Sequence, residues 1–449
     1  SDAIYVSSNI STSDSLNAAI TDANSAIDGA NVYVGTGEFS ESFTLNANVG
    51  LYGAQSSSTR SMDTGDEPDP NLEKSVRGEE TSITGTITVA GDNVTIKGVY
   101  LTNPEGAPID FSGSSIGGFT LSNSYVLDYP AGAFTNYGVT SANWTLSNNF
   151  IGGVSTSGGN GGSVYLSDLQ NANISDNVFW RPGAAHMYGE NWTDVTINDN
   201  YFFHGLHAGG VDFDGNLSEF ANGLSTGYGY GSNSNSGYGA DSGYGSDSGY
   251  GSDTGYGTEA GSGYGSQTGY GYGESGSSSS ATFYGRNYWM ELHGDISTVT
   301  ISNNTGKYNS GGIQLNGEDF DSTFNDILIE SNTFSDFINA DPTGEVLSGS
   351  DGSRHDSGFM GAIVLASSEA QETDTNSIVI RNNTVSIDRE QIDLTDGDDV
   401  AGGISVMGSH TDVAIVNNAI SIIGNTDLQG NPFMENDAIV SPAFGMIVE

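Results

Sequence analysis

The chain has 449 residues, with 56 acidic side chains against 10 basic ones and a formal net charge of −46. Such a surface repels nucleic acid and anionic membranes, and it favours cations, cationic partners or a salty medium. Without cysteine the chain has no disulfides, Cys-ligated zinc, iron–sulfur clusters or thioether-linked haem, and no run approaches the roughly 18–20 apolar residues of a membrane span.

The sequence starts at Ser1-Asp-Ala with neither Met nor a charged leader, as an exported protein would after loss of a signal peptide. The expectation is a secreted or surface-displayed protein. Asn-x-Ser/Thr matches at Asn9, Asn93, Asn143, Asn173, Asn191, Asn216, Asn303 and Asn382 suit that location, although a chain this rich in Asn, Ser and Thr produces most of them by chance.

Residues 1–54 read as an N-terminal module. Ile4-Tyr-Val6 is a short strand, and Thr12 or Ser13 can cap a helix whose apolar face is Leu16, Ala19, Ile20, Ala23 and Ile27. Strands follow at Val32-Tyr-Val34, Phe43-Thr-Leu45 and Val49-Gly-Leu-Tyr52. The order strand, Leu-x-Ala-Ala-Ile helix, Val-Tyr-Val, Gly37-Glu-Phe-Ser-Glu41, Leu51-Tyr-Gly53 resembles the start of the right-handed parallel β-helix (pectin-lyase-like) superfamily. That resemblance implies an all-β solenoid whose helix shields the open edge of the first coil. Residues 55–80 form a polar excursion with Asp63, Asp66, Glu67 and Asp69 around Pro68 and Pro70, read as a solvated acidic loop.

From Thr81 one phrase recurs: apolar, polar, apolar, polar, Asn-Asn or a near equivalent, apolar. Its second apolar residue is found at Ile96, Leu121, Leu146, Ile174, Ile197, Ile301, Ile329, Ile380 and Ile415. The early spacing is 25 residues, followed by 28 and 23, which is the length of chain that one coil of short strands and turns requires. Partner strands of the form small-small-apolar-x-apolar stand at Gly311-Gly-Ile-Gln-Leu315, Gly361-Ala-Ile-Val-Leu365 and Gly402-Gly-Ile-Ser-Val406. Alternation sends Ile313 and Leu315 inward and Gln314 outward. Three residues after most anchors stands an asparagine: Asn149, Asn177, Asn200, Asn304, Asn332, Asn383 and Asn418. Asn tolerates the left-handed turn conformation and can both donate and accept, so coils stacked about 4.8 Å apart are expected to align these amides in a ladder.

Coils are thus expected over 81–222 and 281–449, interrupted by a low-complexity arm at 223–280 inserted into one solenoid. Inside the arm a Ser-Gly-Tyr-Gly-Ser-Asp hexad puts Tyr238, Tyr244, Tyr250 and Tyr256 six apart, continued less regularly by Tyr264 and Tyr270. A period of six aligns these rings on one face of any extended chain, as an adhesive or assembly stripe.

Enzymes of the resembled superfamily use carboxylates with calcium plus an Arg or Lys base, or paired aspartates with His and an Arg-Lys element. None of those motifs is present, so no catalytic residue is carried over. The best local cluster is His204, His207, Asp212 and Asp214, capable of metal binding or acid–base work, with a polar loop as the plainer reading. Glu291 and His293 form a second, outward-facing candidate, whereas His186 aligns with an inward position. Calcium ligands are offered by Asp212 and Asp214 and by Asp393, Asp396 and Asp398. Tyr165, Trp180, Trp192 and Trp289 are candidates for stacking on sugars.

Two functions follow. The first is an extracellular structural or adhesive protein that associates with itself through the arm and through an uncapped last coil at Phe444-Gly-Met-Ile-Val448, as a filament, sheath or surface-layer subunit. The alternative is a secreted polysaccharide lyase, hydrolase or epimerase, or a glycan binder on the same scaffold.

Overall fold

The computed structural model describes residues 2–6, 13–58, 77–113, 115–129, 132–136, 139–154, 164–180, 186–203, 289–307, 309, 311–317, 321–335, 359–367, 373–388, 400–423, 434–435, 438–439 and 444–448. Short strands with inward apolar and outward polar residues dictate the architecture: a strand that buries only one face must stack on copies of itself. The result is a right-handed parallel β-helix of three long sheets. The first sheet has 14 strands, the second 11 and the third 8. Among the described residues pairing is parallel throughout, apart from a small antiparallel pair, Met434–Glu435 with Ala438–Ile439.

One coil shows the plan. Asp295–Ser302 lies in the first sheet, Thr305–Lys307 in the second and Ile313–Gly317 in the third, after which Ser322–Glu330 begins the next turn of the first. In the early coils a three-stranded sheet of Phe43–Leu45, Ile87–Val89 and Ile109–Phe111 takes the third position. It joins the line of the third sheet through the Ile109 N–H bonded to the Ala133 carbonyl, 3.4 Å.

The recurring phrase sits where its pattern requires. Leu51, Ile96, Leu121, Leu146, Ile174, Ile197, Ile301, Ile329, Ile380 and Ile415 pair in one unbroken register along the first sheet. All are buried except Ile415, which is partly buried in the last strand of that sheet. The register continues across residues 204–288: the strand Thr193–Asn198 pairs directly with Asp295–Ser302.

A second row runs inside the second sheet. Phe179 stacks on Phe202 at 5.0 Å, Phe202 on Trp289 at 5.1 Å, and Trp289 on Phe334 at 4.1 Å. The inward position between Phe202 and Phe334 is Gly306. A Cβ there would lie 2.0 Å from the Trp289 ring, so the glycine is what lets the indole complete the row. Trp192 is fully buried too, its indole N–H donating to the Leu166 carbonyl at 2.7 Å. Both tryptophans are therefore core residues, not sugar platforms, because their coils need large volumes inside. Trp180 is buried in a separate aromatic layer outside the second sheet with Tyr125, Phe150 and Phe203. The Arg77 guanidinium lies 4.7 Å over the Tyr125 ring there and pairs with Glu80 at 2.9 Å.

The helix Ser13–Ser25 buries Leu16, Ala19, Ile20 and Ala23. Ile27, expected on the same face, lies beyond the helix end and is 100% exposed. Ala26 still packs partly buried against the core, and the turn at Gly29, with its left-handed φ of 71°, then carries the chain away and leaves Ile27 outside.

Candidate functional site

Two groups of polar residues are built by the stacking. The first is the turn between the first and second sheets. Asn149 donates from Nδ2 to Asn177 Oδ1 at 2.9 Å, and Asn177 to Asn200 at 3.0 Å. The same bond joins Asn200 to Asn304 at 3.0 Å, Asn304 to Asn332 at 2.9 Å, Asn332 to Asn383 at 3.0 Å and Asn383 to Asn418 at 2.9 Å. Each Oδ1 also accepts the backbone N–H of the preceding asparagine. The second N–H of each amide reaches the anchor carbonyl one coil back, as from Asn304 to the Ile197 carbonyl at 3.1 Å.

The left-handed conformation expected of these asparagines belongs instead to the residue before each. Asn148, Asp176, Asp199, Asn303, Ser331, Asn382 and Asn417 have φ between 56° and 58°. The reason is geometric: the residue at the bend points out of the coil, which leaves the next residue aimed along the stack. This row is saturated with internal bonds and is structural.

The second group lies on the outward face of the third sheet. In the strands Val164–Ser167, Met187–Glu190, Met290–His293 and Ile313–Gly317, the core takes Val164, Leu166, Met187, Met290, Leu292, Ile313 and Leu315. The intervening residues must face outward. Register places Tyr165 beside Tyr188, Tyr188 beside Glu291 and Glu291 beside Gln314, and it sets Glu190 beside His293. Neighbouring strands are about 4.8 Å apart, so Glu190 and Glu291 are diagonal neighbours.

The contacts are specific. Tyr165 Oη donates to Glu190 Oε2 at 2.7 Å, and Asn316 Nδ2 donates to Glu291 Oε1 at 2.7 Å. The Tyr165 and Tyr188 rings stack with centroids 6.2 Å apart. Glu291 and His293 occupy outward positions as expected but are not open to solvent: they are 2% and 4% exposed, and Gln314 is 6%. Tyr165 and Glu190 are half-buried. The face therefore grades from an accessible Tyr165–Glu190 lip to a covered Glu291–His293–Asn316 floor.

His186 is buried in the core, its Nε2 3.1 Å from Asn309 Oδ1 and its ring edge-on to Phe202. His204, His207, Asp212, Asp214, Asp393, Asp396, Asp398 and the tyrosines from Tyr238 to Tyr270 lie outside the described residues. The chain that carries them, 204–288 and 389–399, runs in both cases from a second-sheet strand to a third-sheet strand. Among the described residues no group of three His, Asp or Glu side chains is placed to hold a metal, and no helix is long and apolar enough to cross a membrane.

Tyr188, Glu190, Gln314 and Asn316 were missed by sequence reasoning. Alternation sends Gln314 outward, but nothing local relates it to Glu291, and Tyr188 and Glu291 are strand neighbours separated by residues 204–288. The usable signal was the alternation within Met290-Glu-Leu-His293 once it is aligned under Met187-Tyr-Gly-Glu190.

No family model matches the sequence, and neither does any curated protein. Among solved structures the chain is similar to an alginate lyase from Paenibacillus sp. str. FPU-7, at 11% identity and a TM-score of 0.43 over 100% of this chain and 99% of that one. It is also similar to DFA-IIIase from Arthrobacter chlorophenolicus A6, at 12% identity and 0.48 over 100% and 93%. A third is PfbA, a surface adhesin of Streptococcus pneumoniae, at 13% and 0.44 over 99% and 100%. At these identities and TM-scores the likenesses single out no member and assign no role; the parallel β-helix stands on the strand register itself.

Proposed function

We propose that this chain is an extracellular β-helix that recognises glycans on the outward face of its third sheet. The observation that carries the reading is Glu291, a carboxylate buried on an outward face and fixed by the Asn316 amide beside two stacked tyrosines. A buried carboxylate costs free energy that a purely structural outer strand has no reason to bear. Aromatic faces stack on the C–H faces of sugar rings, while carboxylates and amides bond pairs of hydroxyls. The net charge of −46 disfavours polyuronates, so the ligand is a neutral glycan. Glu190, Glu291 and His293 also supply proton donors and acceptors for cleaving a glycosidic bond.

The test is calorimetric titration with neutral and acidic oligosaccharides, alongside assay of new reducing ends. Removing the charge-assisted bond from Asn316 in Glu291→Gln, which loosens the floor beneath the accessible Tyr165–Glu190 lip, is expected to weaken binding by about 10- to 100-fold, matching roughly 1.5–3 kcal/mol. Equal affinity of the variant and the parent chain for every neutral glycan bound would sink the proposal.

A second reading has its own observation. In the final strands Met446 is 53% exposed, and Ile415, Ile420 and Ile422 are only partly buried, whereas their register partners one coil back, Ile404, Ile380, Val385 and Ile387, are sealed. Apolar edge of this kind favours an adhesive or structural surface protein in which further copies meet, the tyrosine stripe at Tyr238, Tyr244, Tyr250, Tyr256, Tyr264 and Tyr270 serving as a contact. Light scattering across salt and calcium concentrations is expected to show assemblies. A monomer under every condition removes this reading and leaves the glycan reading untouched.

A further inference from the structure

Eight Asn-x-Ser/Thr matches occur in the sequence, and six of them fall on described residues: Asn93, Asn143, Asn173, Asn191, Asn303 and Asn382. Such a motif is a glycan acceptor only where the asparagine amide and the hydroxyl two residues on are both presented at the surface. The fold sorts the six by that requirement.

Four of the amides are engaged. Asn93 Nδ2 donates to Asn48 Oδ1 at 3.0 Å. Asn191 donates to Asp168 Oδ1 at 3.2 Å while its own Oδ1 accepts the Asp295 N–H at 2.9 Å. Asn173 donates to Ser175 Oγ at 3.3 Å, and that serine is buried in the strand. Asn143 Oδ1 accepts from Asn171 Nδ2 at 2.5 Å.

Asn303 and Asn382 differ from all four. Exposure they share with Asn93, Asn143 and Asn173, and a left-handed φ, 56° in both, with Asn93, Asn143 and Asn191; what sets them apart is that among the described residues neither side chain bonds to another protein group. The paired hydroxyls are at hand, since Thr384 is exposed and Thr305 half-exposed. The division of labour in the turn explains this freedom: Asn304 and Asn383 carry the buried ladder, so the asparagine before each is released to solvent. The two lie on one ridge with Ser331 between them, about 10 Å apart.

We propose that Asn303 and Asn382 are N-glycosylation sites, the acceptors of a glycan delivered as a phosphate or diphosphate ester during export. The amide nitrogen forms a bond to the anomeric carbon and gives up one proton, while the anomeric C–O bond breaks and the phosphate-ended carrier leaves with the electron pair. The inference rests on the extracellular part of the reading above and not on glycan binding at Glu291.

The test is peptide mapping by mass spectrometry of the full chain from its native cells. Glycopeptides are expected at Asn303 and Asn382, with Asn93, Asn173 and Asn191 bare. Asn303→Gln and Asn382→Gln are each expected to remove one glycan mass, and Thr305→Val and Thr384→Val to do the same while the asparagine stays in place. Bare asparagines at 303 and 382, or glycans at Asn93 or Asn191 in their stead, overturn the proposal. Glycan titration of the same preparation separates the two readings, because binding without attached glycan leaves the third-sheet site standing.

Discussion

Asn303 and Asn304 are the same residue type one position apart, and the fold uses them for opposite purposes. Asn303 bends the chain in the left-handed region and faces solvent, whereas Asn304 is fully buried with four side-chain bonds to Asn200, Ile197 and Asn332. Unequal consequences follow. Asn304→Ala strands buried donors and an acceptor, and is expected to destabilise by on the order of 3–5 kcal/mol in chemical denaturation. Asn303→Gly keeps the bend and is expected to change stability by less than about 0.5 kcal/mol. Equal effects of the two changes would show that the row carries no special stability. The offset of three residues from an apolar anchor made the buried asparagines visible in the sequence. Which asparagine of each pair takes the bend was not visible, because the two share every propensity and differ only in direction.

Strands and their faces were legible for a similar reason: the period of two in Trp144-Thr-Leu-Ser-Asn-Asn-Phe150 fixes what points inward whatever the neighbouring coil holds. Side chains that cross from one strand to another were not legible. Trp289 fills the space over Gly306, a residue of a different sheet, so an indole that seems available for a ligand when read alone is the third ring of a four-ring internal stack. The third-sheet site was hidden in the same way. Glu291 was noticed beside His293, but its partner Asn316 and its neighbour Tyr188 come from other coils, and only strand register brings them together. Outward alternation also gave the wrong exposure for Glu291, since an outward face can itself be covered.

At the scale of the whole chain each coil touches little beyond the coils before and after it, so stability is close to a sum of neighbouring contacts. The longest excursion tests this. Asn200 and Asn304 are ladder neighbours 104 residues apart, against 28 for Asn304 and Asn332. Closure entropy grows only with the logarithm of length, so the extra chain costs about 1 kcal/mol. Replacing residues 206–286 with a short Gly/Ser linker is expected to leave a folded rod, more stable by about that amount, as judged by circular dichroism and denaturation. Loss of the β signal would instead show that those residues hold adjacent coils together.

The asparagine row has one more property. From Asn149 through Asn383 every rung donates one Nδ2–H toward the C-terminal coil, the last to Asn418, and every Oδ1 in the row accepts from the N-terminal side, so the side-chain dipoles add instead of cancelling. Hydrogen bonds in series polarise one another, and over six steps of about 4.8 Å they form an axial vector roughly 29 Å long. Its positive end points toward Asn418 and its negative end toward Ser124, whose N–H is the donor that closes the row at 3.1 Å. The rod therefore has electrically distinct poles whatever its surface charge, and end-to-end contact in which the row continued would run in a single sense.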